Sequence, residues 1–111
     1  MPIKRRTMKK SDYYTAYIYG FKKVYGHVFE MDGFKFGIGK TGEGGTWIVT
    51  DVATGIAVDK SYQHRKDALA AFKKNKDAII ARLEELINNN GNDSESYRKL
   101  MIKLEKFKEN Q

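Results

Sequence analysis

The order of apolar and polar positions divides the chain near Ser61. Before that point, residues 13–60 are rich in Tyr, Phe, Val, Ile and Thr, with glycines between short alternating stretches. This composition is typical of strands joined by tight turns. We predict five strands there, at residues 13–19, 24–31, 34–40, 46–51 and 56–60.

After Ser61 the apolar period lengthens from two residues to about 3.6, which indicates helix. The first helix should begin between His64 and Asp67 and end within residues 88–91, where Asn and Gly favour a left-handed terminus. Asn92 and Glu95 resemble a capping box that begins a second helix. The chain therefore predicts an α+β fold: an antiparallel meander sheet of about five strands, followed by two C-terminal helices that form a helical hairpin.

The dipeptide Asp32-Gly33 provides the clearest local signal, because a two-residue hairpin turn needs positive φ at both central positions. That turn fixes which residues of the second and third strands face each other. The predicted pairs are Met31 with Phe34, Phe29 with Phe36, His27 with Ile38, and Glu30 with Lys35. One face of the hairpin is then apolar and the other carries an opposite-charge pair.

At 111 residues and without cysteine, the chain suits a single domain that needs no disulfide. Residues 1–11 lack apolar periodicity, so we interpret them as a flexible basic arm; residues 12–111 form the domain, with the sheet in 12–62 and the helical part in 63–111. The arm carries Lys4, Arg5, Arg6, Lys9 and Lys10. Neither a secretory signal nor a membrane-spanning stretch is evident, so we expect a soluble, cytoplasmic protein.

The formal net charge is +7, and a basic balance attracts polyanions such as nucleic acid. Besides the arm, the first helix contributes Arg65, Lys66, Lys73 and Lys74. Lys66 and Lys73 are seven residues apart and so share a helix face. These side chains are candidate phosphate contacts. The alternative is an ordinary solvated helix face.

The sequence contains no recognisable catalytic constellation. His27 and His64 are the only histidines, no cysteine is present, and neither a Ser/His/Asp arrangement nor a metal-ligand spacing occurs. The segment at residues 37–41 resembles part of a phosphate-binding loop, but Phe34 stands where the first glycine is required. We therefore expect neither an enzyme nor a bound metal or cofactor, and we interpret His27 as a packed residue of the hairpin.

Seven tyrosines in a short chain favour a binding surface, because phenol rings stack on bases and anchor protein interfaces. Tyr13, Tyr17 and Tyr19 alternate along the first strand and share one face. Alternation alone cannot decide which face is exposed, so the opposite arrangement, with Tyr14 and Ile18 in water, remains open.

Residues 47–58, WIVTDVATGIAV, followed by Arg65-Lys66-Asp67-Ala68, resemble small proteins of Firmicutes phages and mobile elements. In these a strand, a Thr-Gly turn, a strand and a basic helix start recur. The order of sheet and helix is also similar to the arm-binding domains of phage-type integrases, from which this chain departs by two extra strands and a helical pair. Phage proteins of this size are often inhibitors of host defence, including anti-CRISPR proteins, so the resemblance implies such an inhibitor.

These observations lead to one hypothesis and two alternatives. The leading hypothesis is a non-catalytic phage-type protein that inhibits a host nucleic-acid-guided defence complex, with a host nucleoprotein complex or nucleic acid as its partner. The alternatives are a stand-alone DNA- or RNA-binding regulator and a structural phage protein that forms homo-oligomers through its C-terminal helices. The candidate contacts are Lys4, Arg5, Arg6, Lys9, Lys10, Tyr13, Tyr17, Tyr19, Arg65, Lys66, Lys73 and Lys74.

Overall fold

A computed structural model of the chain describes residues 8–17, 20–41, 43–88 and 97–110. Its strands are β1 (Lys9–Tyr17), β2 (Gly20–Met31), β3 (Phe34–Gly39), β4 (Ile48–Asp51) and β5 (Ile56–Ala57), and its helices are α1 (Arg65–Asn88) and α2 (Tyr97–Glu109). The five strands form one antiparallel sheet in the order β1-β2-β3-β4-β5. The predicted α+β class and meander are confirmed.

Three strands differ clearly from the predictions: β1 and β2 begin earlier, at Lys9 and Gly20, because their mutual pairing extends beyond the apolar alternation, and β5 is shorter than predicted. β1 begins at Lys9, where Lys9 pairs with Val28, so residues 9–11 belong to the sheet and the arm prediction is wrong for them. β5 is only two residues long, against five predicted. The remaining arm residues 1–7 and the Asn92 cap lie outside the described residues.

The predicted β2–β3 hairpin is confirmed in both its turn and its register. Asp32 and Gly33 have φ of 52° and 85°, as a two-residue turn with positive φ at both central positions requires. The pairs Met31–Phe34, Phe29–Phe36, His27–Ile38 and Glu30–Lys35 all occur. One dipeptide thus aligns the two strands whose apolar side chains form the centre of the core.

Helix α1 covers the face of the sheet that carries Phe29 and Phe36. The ring of Phe72 contacts both, with centroid separations of 5.4 and 4.9 Å. All three rings are almost fully buried. Helix α2 covers the same face at the other end, where Phe107 lies 5.8 Å from Tyr14 and 5.3 Å from Phe21. These contacts fix both helices on one side of the sheet.

The sheet is curled into a half-barrel. Although β1 and β5 stand at opposite ends of the strand order, the backbone N–H of Ala16 donates to the carbonyl of Gly55 at 2.7 Å. The side chains of Tyr13, Thr15 and Thr50 point to the face opposite the helices and are nevertheless buried. The curl therefore gives the protein a second, small interior on that face.

Glycines in β3 make room for Tyr13 in this second interior. A Cβ on Gly37 would lie 2.7 Å from Cζ of Tyr13, and one on Gly39 would lie 2.5 Å from its hydroxyl oxygen. Both distances are far below van der Waals separation. Glycine is required here for close approach of a ring to the backbone.

A candidate polyanion-binding cleft

A basic cleft of about 770 Å³ opens between the start of α1 and the edge of the sheet. Its helical wall is formed by residues of α1 at positions 65, 66, 69, 70 and 73, a spacing that places them on one side of the helix. Its sheet wall is formed by His27 of β2, and Met8 lies just before β1. The lining residues are Met8, His27, Arg65, Lys66, Leu69, Ala70 and Lys73.

Within the described part of the chain, no ion pair compensates the positive charges of the cleft. The ion pairs between described residues join Lys23 to Asp12 and Lys108 to Glu105, and neither involves a cleft residue. Arg65 donates from Nη2 to the sulfur of Met8 at 3.6 Å, a weak acceptor, while its Nε is buried without a partner among the described residues. The guanidinium therefore has no carboxylate partner among the described residues.

His27 connects the helical wall to Lys10 on β1. Lys10 lies directly opposite His27 in the β1–β2 register, so both side chains project from the same face of the sheet. Partial burial lowers the pKa of His27, and the positive charges of Arg65 and Lys10 lower it further. The imidazole therefore loses its proton at a lower pH than an ordinary histidine, first because of burial and second because of the positive charges around it.

The structure brings together four of the predicted basic residues and separates two others. Arg65, Lys66 and Lys73 line the cleft, and Lys10 lies beside it, opposite the lining residue His27. Lys9 projects to the opposite face, beside Glu30 and Lys35. Lys74 is exposed on the side of α1 that faces away from the sheet, because its direction differs from that of the buried stripe by nearly half a turn. Lys9 and Lys74 are therefore not part of this cleft.

The predicted tyrosine surface is wrong for Tyr13 and is not continuous with the cleft for Tyr17. Tyr13 is only 3% exposed, and burial raises its pKa to about 12, so it cannot contact a partner. Tyr17 is exposed, but it shares the face of Tyr13, opposite to that of Lys10, and lies seven residues from Lys10, about 23 Å along an extended strand. Tyr19, Lys4, Arg5 and Arg6 lie outside the described residues.

Two contributors to this region were missed by sequence reasoning. His27 was assigned to hairpin packing, yet it is half-buried and lines the cleft. Tyr25 was not singled out, although it is 68% exposed. The signal for both lies in the β1–β2 register, which places His27 opposite Lys10 and Tyr25 opposite Asp12, and no turn signal in the sequence fixes that register.

A buried carboxylate elsewhere in the fold has a structural role. Asp51 of β4 is fully buried and accepts hydrogen bonds from the Thr54 hydroxyl at 2.7 Å and the Tyr97 hydroxyl at 3.2 Å. Burial raises the pKa of Asp51, and burial together with the nearby carboxylate raises the pKa of Tyr97. The bond from Tyr97 ties the start of α2 to the sheet, so this network holds the fold together rather than facing a ligand.

Within the described ranges, no three His, Cys, Asp or Glu side chains are grouped as metal ligands, and no helix is long and apolar enough to cross a membrane. The fold and its basic cleft define an α+β protein with a candidate anion-binding site. A scan of family models and searches of curated proteins and of solved structures found no match to this chain.

Proposed function

We propose that the chain is a non-catalytic binding protein whose basic cleft holds the phosphate backbone of a nucleic acid. The observation that carries this proposal is that Arg65, Lys66 and Lys73 line one concave surface, with Lys10 beside its sheet wall, and that none of them has an ion-pair partner among the described residues. Phosphates gain charge-assisted hydrogen bonds from such groups.

The arrangement of these cations suits a charged chain better than a single small anion. Lys66 and Lys73 are separated by two helical turns, about 10 Å, and Lys10 stands across the cleft on the sheet. Successive phosphates of one strand could engage these positions in turn, whereas one phosphate could not reach all of them. The wide, open cleft therefore favours a polymer.

Two partners are compatible with this binding mode. The resemblance to phage proteins supports an inhibitor that binds a host nucleic-acid-guided complex, and the alternative is a regulator that binds DNA or RNA alone. A pull-down from bacterial lysate, repeated after nuclease treatment, separates the two. Retention of a protein complex after nuclease favours the inhibitor, and loss of all bound material favours direct nucleic-acid binding.

The cleft itself is tested by reversing Lys66 and Lys73 together to Glu. We expect the wild type to bind a fluorescein-labelled oligonucleotide with a log-log salt slope of magnitude about 2 to 3, since three cations line the cleft, Lys10 lies beside it, and each single-strand phosphate contact contributes about 0.7. The double reversal should lower the slope by about 1.4 and weaken binding at low salt, because two contacts are lost and repulsion is added.

A matched control is Lys74→Glu combined with Lys106→Glu, which changes the net charge equally at exposed positions outside the cleft. This variant should keep most of the affinity. Equal weakening by both double variants would show that net charge alone governs binding and would remove the cleft from the proposal. Far-ultraviolet circular dichroism of each variant checks that the fold is retained.

A further inference from the structure

Tyr25 is the most exposed large apolar side chain of the described residues, at 68%. It lies in the middle of β2, not in a loop, so the backbone hydrogen bonds of two strands hold its position. A phenol ring fixed on a strand and open to solvent gains nothing for the core. It is well suited to stack on a planar partner.

The β1–β2 register places Tyr25 directly beside the basic cleft. Lys10 pairs with His27, Asp12 pairs with Tyr25, and these two pairs project from the same face of the sheet. Tyr25 therefore lies two residues from His27 of the cleft, about 7 Å along the strand. The next pair on this face brings Lys23 beside Tyr14.

The charges around Tyr25 continue those of the cleft. Asp12 lies opposite Tyr25, but the Nζ of Lys23 is 3.9 Å from its carboxylate, which compensates that negative charge. Along this face of the hairpin the exposed groups are thus Lys10, Tyr25 and the Lys23–Asp12 pair. An anionic chain leaving the cleft would pass over the tyrosine without meeting an uncompensated carboxylate.

We propose that the ligand of the cleft is a single-stranded nucleic acid, one base of which stacks on Tyr25 while neighbouring phosphates occupy the cleft. This inference rests on the proposed function and specifies its ligand. In a duplex the bases are already stacked and paired, so an aromatic side chain on a strand surface has no base face to contact, whereas every unpaired base offers one.

The test is fluorescence anisotropy with a labelled dT12 oligonucleotide, a 12-unit abasic oligomer of the same charge and a hairpin duplex. We expect Tyr25→Ala to weaken binding of dT12 about 5- to 150-fold, the range for loss of one base–aromatic stack. The same variant should leave the abasic oligomer and the salt slope unchanged, because no phosphate contact is lost. Tyr25→Phe should keep dT12 affinity near wild type.

Tyr17→Ala is the matched control, since Tyr17 is an exposed tyrosine at the far end of β1 on the opposite face. It should bind dT12 as the wild type does. If Tyr25→Ala binds dT12 normally while the Lys66/Lys73 reversal does not, stacking is refuted and the proposed function stands. Tighter binding of the duplex than of dT12 also overturns the inference. If none of the three probes binds, the proposed function fails together with it.

Discussion

The contact between Tyr13 and Gly37 allows a quantitative test of the curled sheet. In Gly37→Ala the new Cβ would lie 2.7 to 2.8 Å from Cζ, Cε1 and Cε2 of the Tyr13 ring. Ordinary carbon contacts lie near 3.5 to 4.0 Å, so the ring must move by about 1 Å. It is buried and cannot move into solvent. We expect a loss of about 1 to 3 kcal/mol in the free energy of unfolding, as for other overpacked interiors.

A second substitution shows whether the ring causes this loss. Leucine at position 13 ends at Cδ, one bond short of Cε and two bonds short of Cζ, the ring atoms that the Gly37 Cβ would contact, and it keeps part of the apolar volume. In a Tyr13→Leu background, Gly37→Ala should be neutral or stabilising by up to about 1 kcal/mol, because alanine loses less backbone entropy on folding than glycine. Tyr13→Phe keeps the ring and should keep the full penalty.

Urea denaturation followed by the fluorescence of Trp47, the only tryptophan, measures all variants. The double-mutant cycle should give a coupling energy of about 1 to 4 kcal/mol between positions 13 and 37. Equal destabilisation by Gly37→Ala in the tyrosine and leucine backgrounds would falsify the proposed contact between the Tyr13 ring and Gly37, because the penalty would then come from the strand backbone and not from the ring.

Two further predictions concern pH. Burial, Arg65 and Lys10 lower the pKa of His27 in the free protein, and Lys66 and Lys73 face the same cleft, so a bound polyanion should raise that pKa. The affinity for dT12, measured by anisotropy, should therefore increase from pH 7.5 to 5.5. The increase should be smaller in His27→Gln. Burial raises the folded-state pKa of Asp51 above its usual value, so the stability contributed by the protonated form is lost as the pH rises through the folded pKa. The free energy of unfolding, measured by urea titration at pH 4 and 7, should therefore vary less with pH in Asp51→Asn than in the wild type.

The sequence predicts those parts of the fold that depend on local chemistry. Asp32 and Gly33 specify a turn, the turn specifies the β2–β3 register, and that register places Phe29 beside Phe36. The curl of the sheet is different, because it depends on a hydrogen bond between Ala16 and Gly55, residues far apart in the chain that carry no mutual signal. Consequently the class and strand order were predictable, and the second interior was not.

The same limit explains the partial success at the site. Lys66 and Lys73 share a helix face by periodicity alone, so their proximity was predictable. The β1–β2 register that adds Lys10 and His27 depends on strand pairing that begins at Lys9, in a segment with no apolar alternation. Alternation also could not distinguish Tyr13, which fills the second interior, from Tyr17, which is exposed on the same side of β1.

On helix α1, the residues that pack against the sheet are different from those that line the cleft. Ala68 and Phe72 face the sheet and are buried, whereas Lys66 and Lys73 lie about a third of a turn away on the flank that lines the cleft. Replacing a cleft lysine leaves the buried apolar residues of α1 intact. Replacing Phe72 would remove the packing of α1 against the sheet, and the cleft would be lost with it. A binding defect caused by substitution of Lys66, Lys73 or Tyr25 can therefore be assigned to lost ligand contact if the variant is as stable as the wild type. The criterion is an unfolding free energy within about 0.5 kcal/mol of wild type, the usual range for surface substitutions.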